Sequence, residues 1–281
     1  MKNIIKIELR RAFINRAFFV ALAIGMGISL WHVIFDVIPG SAILPKLLEK
    51  ILSSPEGGYP HSLYNKWLGA NLTPNSTIAV NLYFFILPLL VCIPYVGSFH
   101  SDRKGGYAAH VMTRVKGSHY YLAKLLAIFL SAASVAVIPL LFNFIATAMF
   151  FPAIIPENTT FTFPISHLNM WAEMYYSTPL LYTMLFFVLI AITSGLLALF
   201  GAAISYFVDY VVFSLLTPFA LCSFSSLVLG PFGVRQFTPT IFMRPDQPMN
   251  IEPLTIMTAL AVIIIALTAV FFFKLKKDEL Y

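Results

Sequence analysis

LLAIFLSAASVAVIPLLFNFIATAMFFPAIIP, residues 125–156, contains no Asp, Glu, Lys or Arg. About 20 apolar residues suffice for a helix to cross a 30 Å hydrocarbon core, so this stretch holds one complete span. Its apolar residues are continuous rather than alternating, which argues against a β-barrel strand. Lys124 and Glu157 bound it, and charged residues mark out the rest of the chain in the same way. Uncharged runs recur at 17–35, 67–101, 174–208, 210–234 and 253–273. Each holds one span and none comfortably holds two. The spans are placed near 17–37, 78–98, 125–149, 179–200, 210–229 and 254–273. Only Ser205–Tyr210, around Asp209, separates the fourth from the fifth.

Composition points the same way. Of 281 residues, 59% are hydrophobic and only 11% charged, and the mean hydropathy is +0.84. Soluble domains carry about 25% charged residues. A compact soluble globule, a disordered tail and a disulfide-stapled secreted module are therefore excluded. Cys92 and Cys222 sit in apolar runs with no neighbouring His or Cys, and read as small buried hydrophobes rather than metal ligands. The net charge of +6 reads as basic loops at a membrane surface, not as a nucleic-acid-binding face.

Six spans put both termini on one side. Thirteen of the basic residues share that side: Lys2, Lys6, Arg10, Arg11 and Arg16, then Arg103, Lys104, Arg114, Lys116 and Lys124, then Lys274, Lys276 and Lys277. Five lie opposite: Lys46, Lys50, Lys66, Arg235 and Arg244. The positive-inside rule predicts cytoplasmic termini, with Trp31, Trp67, Trp171, Tyr175 and Tyr176 near the outer boundary. Residues 1–16 read as a short interfacial helix rather than part of a signal peptide, since the apolar stretch after them is long and no cleavage pattern follows it. In that helix Ile5, Leu9, Ala12 and Phe13 share one arc, with Lys2 and Arg16 snorkelling from it. The fold class is an all-α integral membrane protein.

Outside, residues 38–77 form the longest loop, with a short surface helix at Ile43–Leu52 broken by SSPEGGY at 53–59. Residues 151–178 hold no Lys or Arg, and five prolines between Pro231 and Pro253 prevent residues 230–253 from forming one helix. Asn71, Asn75 and Asn158 begin N-x-[ST] triplets, more often chance than glycosylation.

Inside, residues 99–124 open with a charged cluster, Asp102–Lys104, followed by Gly105–Gly106. A helix-compatible stretch follows, Tyr107–Arg114, then a Gly-Ser break, then Tyr120–Lys124 entering the third span. The charge order suits the dipole of a short helix lying across the cytoplasmic face, with Tyr107, Val111 and Arg114 on neighbouring turns. The bland alternative is a positive-inside loop with no further role.

This order of features resembles the ABC transporter type-2 permease family, the membrane subunits of many bacterial exporters. The likeness covers the whole chain as topology and about 25 residues as motif. An acidic–x–x–Gly element, an Arg six to nine residues on, then Tyr–x–x–Lys leading into the third span are matched by Asp102, Gly105 or Gly106, Arg114, Tyr121 and Lys124. The sixth span and its basic tail, Lys274–Tyr281, match the family's end. The family more often has Glu where Asp102 stands, which shortens the reach of an ion pair. The resemblance implies that 99–124 is a coupling loop docking into a separate ATP-hydrolysing subunit. Asp102, Arg103, Lys104, Gly105, Gly106, Tyr107, Val111, Arg114, Tyr121 and Lys124 would form or lock that contact. It also implies a homodimer or heterodimer of permeases in a bacterial cytoplasmic membrane, with two ATPase copies carrying ATP and Mg.

The chain itself has no G-x-x-x-x-G-K-[ST] phosphate loop, so an ATPase activity would belong to the partner and no cofactor or metal is expected here. Thr193-Ser194-Gly195 faintly resembles an intramembrane serine nucleophile, but only His32 falls within a span and only near its end. Packing is the better reading of these small residues. No Asp, Glu, Lys or Arg stands at a span centre, which disfavours an ion-coupled carrier. Asn81, Tyr83, Asn143, Ser214 and Thr217 are candidates for a translocation cleft, and Pro88, Pro94, Pro139 and Pro218 for kinks. Interhelical packing is the competing reading of the cleft set. The expected function is export of a hydrophobic or amphipathic cargo: peptide, antibiotic or lipid-like. The alternative is a non-transporting membrane anchor or sensor subunit.

Overall fold

The computed structural model describes residues 2–52, 62–70, 77–156, 165, 169–232, 234–245 and 251–278, and among them every regular element is helical. The N-x-[ST] triplets at Asn71, Asn75 and Asn158, the SSPEGGY break and the last three residues of the basic tail lie outside the described residues. In chain order the helices are α1 (Lys2–Phe13), α2 (Arg16–His32), α3 (Ile38–Leu52), α4 (Leu63–Lys66), α5 (Thr77–Leu90), α6 (Gly97–Lys104) and α7 (Tyr107–Met112). Then follow α8 (Gly117–Ala148), α9 (Ala172–Ser177), α10 (Pro179–Ile204), α11 (Val211–Leu229), α12 (Pro239–Phe242) and α13 (Pro253–Asp278).

Among the described residues, five stretches are long and apolar enough to cross a membrane: Arg16–Pro45, Gly117–Ala148, Pro179–Ile204, Val211–Leu229 and Pro253–Phe271. The chain is a multi-pass membrane protein by helix length and hydropathy. The expected second span at 78–98 differs. Its helix, α5, has 14 residues, about 21 Å at 1.5 Å per residue, and gives way to turns over Val91–Val96 before α6 begins. Pro88 and Pro94 each lack the N–H that would continue the helical ladder.

Other boundaries shift for local reasons. α1 ends at Phe13 rather than at residue 16, because Asn15 caps α2: its Oδ1 accepts from the Ala17 N–H at 3.1 Å and its amide donates to the Pro94 carbonyl. The first span does not stop near 37. A π-helical turn at Val33–Val37 joins α2 to α3, so the expected loop start and the separate helix at Ile43–Leu52 are one continuous rod. In that turn the Ile38 N–H bonds the Val33 carbonyl, five residues back, immediately before Pro39, which has no N–H to offer. α8, which holds the expected third span, begins at Gly117, eight residues before that span, so Tyr120–Lys124 form its first turns. Among the described residues of 230–252 the regular elements are a 3-10 turn at Arg235–Phe237 and α12.

α8 stands at the centre, packed by α1, α2 and α10, with α10 in turn carrying α9, α11 and α13. Close approach makes this possible. A Cβ on Gly25 would lie 2.8 Å from the Pro139 ring, and one on Gly195 would lie 2.3 Å from the Phe129 ring. Beside Pro139, Tyr83 donates to the Ala136 carbonyl at 2.5 Å and Ser29 to the Pro139 carbonyl at 2.9 Å. Trp31 is 47% exposed, whereas Trp67 and Tyr175 are each 1% exposed and belong to the core.

Candidate functional site

The first turns of α8 carry Tyr120 and Lys124 inward, and Lys124 is fully buried. A buried ammonium demands partners, and three elements supply them. α1 lays Ile4, Glu8 and Ala12 against α8, a stripe at helical spacing of four. This differs from the expected arc of Ile5, Leu9, Ala12 and Phe13, whose other members are only half-buried. Glu8, in the middle of the stripe, is also fully buried. α6 brings Asp102 to the same point, 3% exposed.

The four charges close into one neutral cluster. Lys124 Nζ lies 2.5 Å from Asp102 Oδ2 and 3.3 Å from Glu8 Oε2. Arg11 donates to both oxygens of Asp102, at 3.1 and 2.7 Å, and to Glu8 Oε1 at 3.0 Å. Such a two-pronged guanidinium–carboxylate bond fixes orientation as well as charge. Tyrosines fill the remaining acceptor positions: Tyr95 donates to Glu8 at 2.6 Å, Tyr107 to Glu8 at 3.3 Å and Tyr120 to Asp102 at 3.0 Å. The cations also lie over rings, Arg11 4.2 Å from the Tyr107 centroid and Lys124 4.4 Å from that of Tyr95.

Burial pushes the Asp102 carboxyl up, but the hydrogen bonds from Arg11 and Lys124 outweigh it and hold the group below the usual carboxylate range. Burial likewise pulls Arg11 down, and its bond to Asp102 and the nearby anions lift it above its ordinary value. Tyr107 is raised by burial and by Glu8.

From this root the loop projects. α6 ends with the Gly105 N–H bonded to the Ser101 carbonyl at 2.9 Å. Gly106 then takes φ +70°, a left-handed conformation that costs a side-chain-bearing residue about 1 kcal/mol, and α7 begins. Tyr107 and Val111 turn partly inward, while Ala109, His110, Thr113 and Arg114 are exposed. Between α1 and α7 runs a groove of about 470 Å³ whose wall includes Asn3, Ile7, Tyr107, Val111 and Arg114. Of the expected coupling residues, Asp102, Tyr107 and Lys124 meet in the cluster. Tyr121 packs beside it, its ring 6.1 Å from Phe99. Arg103, Lys104 and Arg114 face outward. Glu8, Arg11, Tyr95 and Tyr120 were not anticipated. The available signal was Glu8 itself, the one acid among the basic residues of 2–16, three positions from Arg11.

The candidate cleft residues do not gather. Asn143 sits at the far end of α8, where its Oδ1 accepts from the Leu68 N–H at 2.7 Å and its amide donates to the Ser29 carbonyl and meets His32 Nδ1 at 3.1 Å. It thereby anchors Ser62–Ala70, a wholly buried segment that turns in beside α8, with Trp67 packed on Phe144 and Phe187. Within it, burial pushes Lys66 down to about 8, opposed by Asp36. Tyr83 is used in the bond to the Ala136 carbonyl of α8. Asn81 accepts from Arg244 at 2.8 Å. Ser214 is buried against α10, and Thr217 returns its hydroxyl to the Phe213 carbonyl at 2.6 Å. Among the described residues no three His, Cys, Asp or Glu side chains are grouped as a metal site would need.

No protein-family model, curated protein or solved structure matches this chain.

Proposed function

We propose that the chain is the membrane-spanning subunit of an ATP-driven exporter of the type-2 permease kind, with cytoplasmic termini and α5 with the turns after it completing a sixth crossing near 78–98. The observation that carries this reading is the Glu8–Arg11–Asp102–Lys124 cluster. It ties the amphipathic N-terminal helix, the inner loop and α8 into one rigid root, from which α7 presents its exposed face. A short helix held this firmly at the basic side suits a surface on which a separate ATPase subunit pushes. Asp102 and Lys124 then act as positioning residues, and His110, Thr113 and Arg114 as contacts. ATP and Mg belong to that partner, and the cargo is hydrophobic or amphipathic, passing between two permease copies. Export from a bacterial cytoplasm is the direction the resemblance favours.

One observation favours the second reading, a non-transporting anchor or sensor subunit: Tyr83 and Asn143 are spent on packing within the chain. The discriminating experiment is purification from native membranes in mild detergent. The exporter reading expects a co-purifying ATPase whose association falls on Arg114→Ala while the unfolding temperature is unchanged. Recovery of the chain without any ATP-hydrolysing protein, together with an inert Arg114→Ala, would sink it. An ATPase that binds but whose turnover never responds to cargo would favour the anchor.

A further inference from the structure

Four Asp, Glu, Lys or Arg side chains are buried among the described residues. Glu8, Asp102 and Lys124 belong to the neutral cluster. The fourth is Lys66, 5% exposed, near the other end of α8. Lys124 has two carboxylates, at 2.5 and 3.3 Å. No acceptor among the described residues bonds the Lys66 ammonium, and no carboxylate is near enough to pair with it. Asp36, half-buried on the π-helical turn, and the His32 ring are the titratable groups within its electrostatic range. A lysine normally relieves such burial by snorkelling to water, but this one is held in. Before it, Ser62 donates to the Ile154 carbonyl at 2.7 Å and the Leu63 N–H to the Pro152 carbonyl at 3.0 Å. Tyr175 donates to Asn65, and beyond Lys66 the Leu68 N–H bonds Asn143 at 2.7 Å. The hydroxyls of Thr193, Ser194 and Ser214 are sealed without a partner, whereas the Lys66 ammonium keeps an opening. An unpaired buried ammonium is costly, so the site is one acceptor short.

We infer that Lys66 is the anchor of an anion site, its ammonium completed by an external oxyanion of one negative charge: a carboxylate or a phosphodiester. A second charge on the ligand would be repelled by Asp36. Burial pulls Lys66 down to about 8, so at pH 7 the ammonium is still largely protonated and able to donate. The headgroup phosphate of a bilayer lipid and a soluble carboxylate share this chemistry. The site lies apart from the charge cluster and α7, so the inference stands or falls separately from the exporter reading.

The full chain is purified in dodecyl maltoside with its native lipid removed. Its unfolding temperature at pH 7 is followed as dioleoylphosphatidylglycerol or sodium acetate is titrated in. A ligand that binds only the folded state raises that temperature, and at least one of the two should do so. Lys66→Met keeps the length of the side chain and removes the charge. The variant should be no less stable than the parent without ligand, and should bind about tenfold more weakly or worse, the effect of one charged hydrogen bond. Lys66→Arg should keep much of the binding. Dioleoylglycerol, with the same acyl chains and no phosphate, is the control for acyl-chain binding. A response to the phospholipid alone assigns the site to a lipid headgroup. A response to acetate, alone or as well, assigns it to carboxylates at large. The proposal is overturned if neither ligand stabilises the parent, if dioleoylglycerol matches phosphatidylglycerol, or if Lys66→Met responds like the parent. A Lys66→Met chain that is less stable than the parent without ligand also overturns it, because the protein would then supply the partner itself.

Discussion

Lys124 is the residue on which the charge cluster depends. Lys124→Met leaves Glu8 and Asp102 buried without their central cation, and breaking such a pair costs about 3–5 kcal/mol. Thermal unfolding in detergent should show that loss, and adding Glu8→Gln with Asp102→Asn should recover much of it. The pH dependence has a defined sign. Because Asp102 titrates below its unfolded value, its stabilisation is complete above about pH 4 and is lost as pH falls through the lower folded-state value. Hydrogen exchange of α7 should therefore stay slow at pH 4 and accelerate well below it, a transition that Asp102→Asn should lack. Asp102 and Lys124 were legible in the sequence because they stand in a spaced pattern. Glu8 and Arg11 were not, because a basic N-terminal helix reads as surface until α8 is seen to offer it a buried cation.

At the level of single elements, hydropathy located the long helices well and the prolines badly. A window of apolar residues cannot tell whether Pro88 and Pro94 bend a helix or end it, so the expected 78–98 span became α5 and a run of turns. The same blindness hid Ser62–Ala70: Trp67 reads as an interfacial anchor, yet Asn143 and the Phe144 and Phe187 rings draw it inside. Two glycines test the elements directly. Gly106→Ala forces a side chain into the left-handed turn, and should cost about 1 kcal/mol. Exchange should rise over Tyr107–Met112 and stay unchanged in α10. Gly195→Leu drives a branched side chain into Phe129 and should cost about 1–3 kcal/mol or more by overpacking, lowering the unfolding temperature of the whole bundle.

Across the whole molecule, α8 couples two polar ends that share no residue: the charge cluster at its start and the Asn143 anchor near its close. Deleting residues 2–13 should therefore loosen α6 and α7, detected as faster proteolysis of the 99–116 segment, while Trp67 fluorescence stays that of a buried indole. A Trp67 signal that shifts with the deletion would show the two ends to be one cooperative unit. The cluster also imposes a schedule. Arg11 and Asp102 are 91 residues apart in the chain, a gap of about 5–20 s at a ribosome's ~5–20 residues per second. Through that interval Glu8 and Arg11 have only each other and water, and the N-terminal helix must wait without its partners. Only when the helix bearing Lys124 has been made can the earliest part of the chain take its place, so this protein completes the cluster from both directions at once.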